Sequence, residues 1–431
     1  MNGAFRRTKM KDWYEFSRQT CPICHKTGGC IIHEDGSKVA CIRESSEIQF
    51  GKGSLVSWLH YIEDGVKVDK ASVESEGHRT RSKLPTHILN HIFSELMVHP
   101  ETELSEDHMN HLLHERKLSY TTINTRGYAS FPEKQWVVAK DILPQSLMAR
   151  LDQPNFTMGI PGFFKNKYGW SITGSKGIFI PYRDENNWVT GFQIRVDNPK
   201  NDVEIDATNF DGLYARVKEQ PDLVQVLNDG EVVLERRFEL NKVETITVGD
   251  KIGTVKLKKG QRYYWFSSAN KDCGTGAGDP VPIHVAVPTK QLIEWNTAVE
   301  NDKVNDTVST TLKVNAAWVT EGALKADIAV DHIENAFKDE LASVGSTMLA
   351  VPGINSWRSL LPTLERMEVK RVNLAFDMDA ISNKYVKQHF MDMVAELKKL
   401  GYEVYVALWN PENKGIDDCL CKNRRPQLRR L

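Results

Sequence analysis

The sequence holds no run of eighteen apolar residues, the length a membrane-spanning helix needs. Its opening stretch, MNGAFRRTKMKDWYEF, lacks the apolar core of a secretory signal. A cytoplasmic chain without membrane contact is therefore the expectation. Charge of one sign is also missing: 56 Lys and Arg against 57 Asp and Glu leave a net charge of -1. Binding to nucleic acid must then come from local patches, and bulk charge neither supports nor excludes it. Cysteine is sparse and odd in number, at seven, which in a reducing compartment argues against a disulfide framework. No GxxxxGK[ST] phosphate loop occurs, so the chain carries no recognisable ATP-driven motor. What remains is a 431-residue chain with 40% hydrophobic residues, long enough for two to four domains with real cores.

Four of the seven cysteines lie together in CPICHKTGGCIIHEDGSKVACIRE. Cys21 and Cys24 form a CxxC knuckle, Cys30 follows, and Cys41 closes the set in a hairpin-like stretch. Four thiolates on two short turns suit a tetrahedral, structural zinc ion that replaces a core too small to fold alone. Four reduced cysteines buried in an ordinary small fold are the alternative, and His25 and His33 are substitute ligands. The flanks carry Arg6, Arg7, Lys9, Lys11, Arg18, Lys26, Lys38 and Arg43, a surface for phosphate or simply a solvated basic face.

Residues 65–83 turn polar, as in a linker. Apolar spacing through Ile88, Ile92, Leu96, Met109, Leu112 and Leu113 then predicts two or three helices, with His87, His91, His108, His111 and His114 on partly exposed faces. Further on, GIFIPYRD and WVTGFQIRVD read as a hairpin joined by ENN, its strands ending near Arg183 and Arg195. Lys165, Lys167 and Lys176 lie upstream among Phe163, Phe164, Tyr168 and Trp170, the mixture of cations and flat rings that a groove for single-stranded nucleic acid uses. Aromatics in the core and lysines in water are the plain alternative. About 202–260 read as a small β-rich insertion.

Toward the C-terminus a unit of about a hundred residues, roughly Val314 to Trp409, alternates strand and helix. Trp318–Glu321 reads as a buried strand ending at a carboxylate, with a helix opening at Gly322. Val372–Phe376 reads as another strand, with Asp377 and Asp379 at its end and both side chains directed to one side. Carboxyl ends of parallel strands line the crevice of an α/β sheet, where Glu321, Asp377 and Asp379 would meet. The tail, CKNRRPQLRRL, holds five basic residues and reads as a contact for nucleic acid or a partner, or as a solubilising end.

These motifs resemble those of the bacterial DnaG-type primases. GIFIPYRDENNWVTGFQIRVD is similar to the strand pair of their catalytic core, RYYWFSSAN with Arg262 to the short motif that follows it, and the Glu-Gly strand end with the later Asp-x-Asp to the Toprim fold. VPGINSW and NKGIDDCL fall where primase Toprim domains carry a Pro-Gly turn and a late acidic motif. The resemblance implies a mixed α/β multidomain fold: a zinc ribbon at 1–64, a linker and helical region at 65–150, a basic primase-core subdomain at 151–312, a Toprim domain at 313–412 and an acidic motif with basic tail at 413–431. It implies catalysis by Glu321, Asp377 and Asp379, which with Asp417 hold Mg²⁺ or Mn²⁺. Cys21, Cys24, Cys30 and Cys41 hold structural Zn²⁺, and Lys165, Lys167, Lys176, Arg183, Arg195 and Arg262 bind nucleic acid or nucleotide. The implied activity is nucleotidyl transfer from nucleoside triphosphates to build short primers on single-stranded DNA, beside a separate replicative helicase, for a plasmid, phage or integrative element. A Toprim nuclease and a degenerate primase that only binds DNA are the alternatives. In two places the chain departs from the pattern: Lys325 stands where these primases commonly carry an Asp, and Gly415 stands for the first acid of the late motif. The first departure lowers the number of metal ions held, or Asp327 or Asp417 compensates for it.

Overall fold

The computed structural model describes residues 5–8, 10, 12–16, 19–26, 28–50, 56–62, 82–143, 159–206, 213–249, 251–278, 280–302, 311–377 and 384–431. The expected linker at 65–83 and the residue Asp379 therefore lie largely or wholly outside the described residues. The mixed α/β organisation expected from the sequence is observed.

Near the N-terminus six strands, β1 (Phe5–Arg7), β2 (Trp13–Phe16), β3 (Ile31–His33), β4 (Lys38–Cys41), β5 (Ile48–Phe50) and β6 (Ser57–Tyr61), form one sheet in the order β1-β2-β3-β4-β6-β5. Phe5, Phe16, Ile32 and Val39 pack around Cys21, Cys30 and Cys41. So small an apolar cluster needs a crosslink or a metal to hold it. The sheet is not isolated, because Val56 and Trp58 join the same core as Val319, Trp357 and Met393 of the C-terminal region.

Helices follow at Thr86–Val98, Glu106–Asn110, Tyr120–Arg126 and Gln135–Ile142, with a π turn at His111–Glu115. The starts at Glu106 and Tyr120 are fixed by Ser105 and Ser119, whose hydroxyls accept the N–H groups of His108 and Thr122. His91 and His111 lie on partly exposed faces, beside Glu95 and Glu115. His108 departs from the sequence expectation: it is buried and hydrogen-bonded to Ser130 Oγ at 2.7 Å.

Next come β7 (Ala129–Ser130), the hairpin β8 (Phe163–Asn166) and β9 (Gly169–Ile172), and then β10 (Gly177–Arg183) and β11 (Val189–Val196), with β11-β10-β7 as neighbours in one sheet. A smaller compact unit spans Ile194–Tyr264. It contains β12 (Asp202–Asp206), β13 (Leu213–Glu219), β14 (Leu223–Asn228), β15 (Glu231–Arg237), β16 (Val243–Val248) and β17 (Lys251–Lys258), in two antiparallel sheets, β12-β17-β16 and β13-β14-β15. Val224, Val226, Phe238, Val255 and Leu257 fill its core. The chain returns through β18 (Tyr263–Trp265), beside β11.

A six-stranded sheet dominates the C-terminal region: β19 (His284–Ala286), β20 (Ala316–Glu321), β21 (Thr347–Val351), β22 (Arg371–Leu374), β23 (Glu403–Leu408) and β24 (Gln427–Arg430), in the order β19-β21-β20-β22-β23-β24. The four central strands are parallel, and the two edge strands run antiparallel to them. Central strands buried on both faces read as continuous apolar runs rather than alternating ones, as AAWVT and TMLAV do. Ala317 and Val319 face one core, while Trp318 faces the other with Ala326, Val330 and Phe337. The strand β22 stops at Leu374, two residues short of the expected end, so Asp377 sits on the loop beyond it. The basic tail is not a free end: β24 pairs with β23, and Arg425 and Arg430 meet Glu340 and Glu403.

The helix Ala323–Ala336 that follows β20 is anchored by a buried ionic node. Asp327, 1% exposed, accepts from Arg126 Nη1 at 2.5 Å, Tyr128 Oη at 2.6 Å and His284 Nε2 at 3.0 Å. Burial works to raise its carboxyl, but Arg126 and His284 hold it below the usual value. Asp327 is therefore a structural acid, and the sequence reading that lets it compensate for Lys325 as a metal ligand is corrected: two positions along a helix turn it away from Lys325, into the protein. Removing one partner of a buried pair strands the other charge. We expect Asp327→Ala to lose about 3–5 kcal/mol of stability in urea unfolding, and a loss no larger than the roughly 1 kcal/mol of a surface pair would contradict the node's anchoring role.

Candidate metal centres and nucleic-acid surface

The Sγ atoms of Cys21, Cys24, Cys30 and Cys41 all lie within 4.8 Å of one another. Cys30 Sγ stands 3.6 Å from both Cys24 Sγ and Cys41 Sγ. A zinc ion with Zn–S bonds of about 2.3 Å demands sulfur-to-sulfur edges of about 3.8 Å, so the four residues fit a closed tetrahedral site. Neither histidine substitutes for them: His25 is exposed, and His33 turns its Nδ1 to Asp35 at 2.9 Å. Arg43, read from the sequence as part of a basic flank, faces inward instead. Its Nη1 reaches Cys30 Sγ at 3.5 Å, Cys24 Sγ at 3.6 Å and Gly28 O at 3.0 Å, while the backbone N–H groups of Arg43 and Glu44 point at Cys41 Sγ. Donors aimed at sulfur favour thiolates over thiols.

The second candidate centre lies at the carboxyl edge of the six-stranded sheet. Pairing of β20 with β22 sets Val319 opposite Leu374, so Glu321 and Asp377 leave adjacent parallel strands at the same edge. Thr320 Oγ1 donates to Ala375 O at 2.9 Å, and the Ala375 N–H donates to Val319 O at 2.8 Å, which carries the junction past the end of β22. Gly322 turns the chain from β20 into the helix at φ +88°, a conformation L side chains rarely adopt. Glu321 is exposed, and Asp377 contacts the ammonium of Lys325. Phe376, Val386, Phe390 and Val406 line an apolar hollow of about 170 Å³ beside Asp377.

Asp417, expected from the sequence to bind a divalent ion, is buried and receives Arg116 Nη2 at 3.3 Å. Burial pushes its carboxyl up, against the opposing pull of Lys325 and Arg116. Its partners in the structure are cations of the chain. Among the described residues, only the four cysteines bring three or more ligand atoms within 4.8 Å of one another. Mg²⁺ or Mn²⁺ is typically held by one or two carboxylates with water and substrate phosphate, and here Asp377 and Asp417 stand beside the cations Lys325 and Arg116.

The basic residues divide. Lys165, Lys167 and Lys176 are exposed on and after the β8–β9 hairpin. Lys167 lies 4.8 Å over the Tyr168 ring and Lys271 lies 5.6 Å over Phe164, the cation and ring mixture that nucleic-acid grooves use. Arg183 departs from its expected role. Its guanidinium donates inward to Asn187 and to Arg126 O, and burial pulls its pKa down to about 10. In the smaller unit, Arg195 is half-buried and Arg262 exposed.

Sequence reading missed Arg126, Tyr128 and His284 as partners of Asp327, and Arg116 as the partner of Asp417. These contacts span 43 to 301 positions along the chain, and no local pattern announces them.

The family model described as "Domain of unknown function (DUF3854)" matches residues 312–426. No curated protein matches the chain. Solved structures similar to it include a DnaG primase catalytic domain bound to single-stranded DNA, at 11% identity over 78% of this chain and 75% of that one, with a TM-score of 0.39. The Aquifex aeolicus primase zinc-binding and RNA polymerase domains are 11% identical over 96% of this chain and 77% of that one, TM-score 0.38. A Pseudomonas aeruginosa DNA primase domain is 12% identical over 80% and 76%, TM-score 0.38. Likenesses this distant carry no argument about what the chain does; that rests on its own residues.

The inward Arg43 gives the zinc site its own test. We expect one zinc per chain, lost in Cys30→Ser, and an Arg43→Met variant that yields zinc to a chromogenic chelator about 10- to 100-fold more readily. Wild-type retention in Arg43→Met would show that the guanidinium does not support the thiolates.

Proposed function

We propose that this protein is a primase-type nucleotidyltransferase, which joins nucleotides from nucleoside triphosphates into short primers on a single-stranded DNA template. The observation that carries the reading is the departure of Glu321 and Asp377 from adjacent parallel strands at one sheet edge, in a chain that also bears the Glu-Gly and Asp-x-Asp motifs and a four-cysteine site. Glu321 and Asp377 are the proposed holders of one Mg²⁺ or Mn²⁺, together with Asp379, two positions beyond Asp377 and outside the described residues. Once bound, such an ion neutralises charge that develops on the transferred phosphoryl group.

In this reading the 3′-oxygen of one nucleotide bonds to the α-phosphorus of the next, the bond from that phosphorus to the bridging oxygen breaks, and pyrophosphate leaves. Glu321 is the proposed acceptor of the hydroxyl proton. The hollow of Phe376, Val386 and Phe390 beside Asp377 is the proposed seat of a base. Lys165, Lys167 and Lys176 are the proposed template contacts, with Tyr168 as a stacking face; taken by itself, the smaller unit has Arg195 and Arg262 as its proposed nucleic-acid or nucleotide contacts. With no phosphate loop for a motor, the proposal includes a separate helicase that exposes the template.

One observation favours a second reading, a protein that binds DNA without extending it: Asp377 is already engaged by Lys325. Incubation with single-stranded DNA, labelled ribonucleotides and Mg²⁺ or Mn²⁺ separates the two. New oligomers should appear with the wild-type chain and fall by about a hundredfold or more in Asp377→Ala, since loss of an ion's several kcal/mol is worth at least that in rate. Binding without synthesis would support the second reading, and a shortened template would point to a nuclease.

A further inference from the structure

We propose that Lys325 is a resident cation of the acid site, its ammonium standing where a second divalent ion would sit if the surrounding acids were free to bind one. The inference rests on the metal-assisted reading above. Two departures from the primase pattern, a lysine where an acid is usual and Gly415 where the late motif begins, are unrelated in sequence and touch in space. Lys325 lies in the first turn of the helix Ala323–Ala336, and its ammonium contacts the Asp377 carboxylate. A Cβ added to Gly415 would stand 3.1 Å from Lys325 Cε, 3.3 Å from Cδ and 2.3 Å from Asp417 Oδ1. The lysine's alkyl chain thus passes close by Gly415, where a side chain would press on Asp417 Oδ1 and make Lys325 give by a few tenths of an ångström.

The result is a lysine lodged between an acid of the loop after β22 and an acid in the first turn of the helix Ile416–Cys421. Lys325 and Asp377 are only 18% and 20% exposed, so water screens their attraction weakly. Asp417 is matched separately by Arg116 at 3.3 Å. Asp377 and Asp417 together thus face two fixed positive charges, Lys325 and Arg116. A divalent ion entering between them would meet that repulsion without a free carboxylate in return. Glu321, at the exposed end of β20, leaves the sheet at the same edge as Asp377. The site then pairs one exchangeable divalent ion with one fixed ammonium. An ammonium with three donors is also a point-charge binder of phosphate, so the lysine is suited to meet the polyphosphate of an incoming nucleotide.

The test is the number of Mn²⁺ ions bound per zinc-loaded full-length chain, counted by electron paramagnetic resonance, with thermal melting as a check of folding. Wild type and Lys325→Arg should each bind one. Lys325→Gln should bind a second, with affinity raised about tenfold or more over wild type, the effect of removing one like charge at close range. Lys325→Met, which keeps the alkyl chain against Gly415, replaces the amide variant should that one fail to fold. Two ions in the wild type, or equal counts in wild type and the neutral variants, overturn the proposal. No ion in the wild type and one in Lys325→Gln would uphold the lysine's place while removing the metal-assisted reading beneath it. The expected counts without primer synthesis would remove only the nucleotidyl-transfer reading.

Discussion

Parallel pairing of β20 with β22 is the constraint on which the candidate site depends. Hydrogen bonding fixes Val319 opposite Leu374, and neighbouring strands lie about 4.8 Å apart. Two acids far apart in sequence are thereby delivered to one edge. A slip of one residue would turn every side chain of a strand to its other face. Burial of Val319 and Leu374 in one core and of Trp318 in the other forbids such a slip. The apolar residues set the register, and the register aims the acids.

The acids at that edge and in the sealed node behind it are matched by cations from elsewhere. Asp327, Asp377 and Asp417 each meet a cation: Arg126, Lys325 and Arg116. Two of these cations, Arg116 and Arg126, come from the helical region near residue 120, so that region is more than a spacer. It supplies positive charges that match the acids of the sheet edge and of the node behind it. Buried acids without such partners would be driven toward their neutral forms, and a neutral carboxyl is a poor metal ligand.

Much of this was legible in the sequence, and the limits have physical causes. The four-cysteine cluster was readable because a tetrahedral site imposes short, fixed spacings. The alternating strands and helices after residue 313 were readable because buried parallel strands are apolar throughout. Element ends were less so: β22 stops at Leu374 because the loop beyond it is held by Ala375 N–H and by Thr320, neither of which has a local signature. Charged partners were the least legible part. Arg43 and Arg183 read as surface cations by composition, yet each turns inward to acceptors that tertiary structure alone provides. Asp327 and Lys325, two positions apart on one helix, point to different environments, one sealed and one at the edge.

The cysteine-bearing sheet is joined to the same edge by packing rather than by sequence proximity. Trp58 on β6 lies 5.1 Å from the His389 ring, and the Tyr385 hydroxyl meets the Glu44 carboxylate. Both partners belong to the helix Lys384–Lys399, which begins seven positions after Asp377. Glu44 lies three positions after Cys41, and the Glu44 N–H points at the Cys41 sulfur. A metal that fixes Cys41 therefore also fixes the residue that grips the start of that helix. The contact with Glu44 lifts the Tyr385 hydroxyl to about 12, so it remains a donor to that carboxylate across the physiological range. The four-cysteine site and the helix Lys384–Lys399 are in this way linked through a single short segment, 41–44.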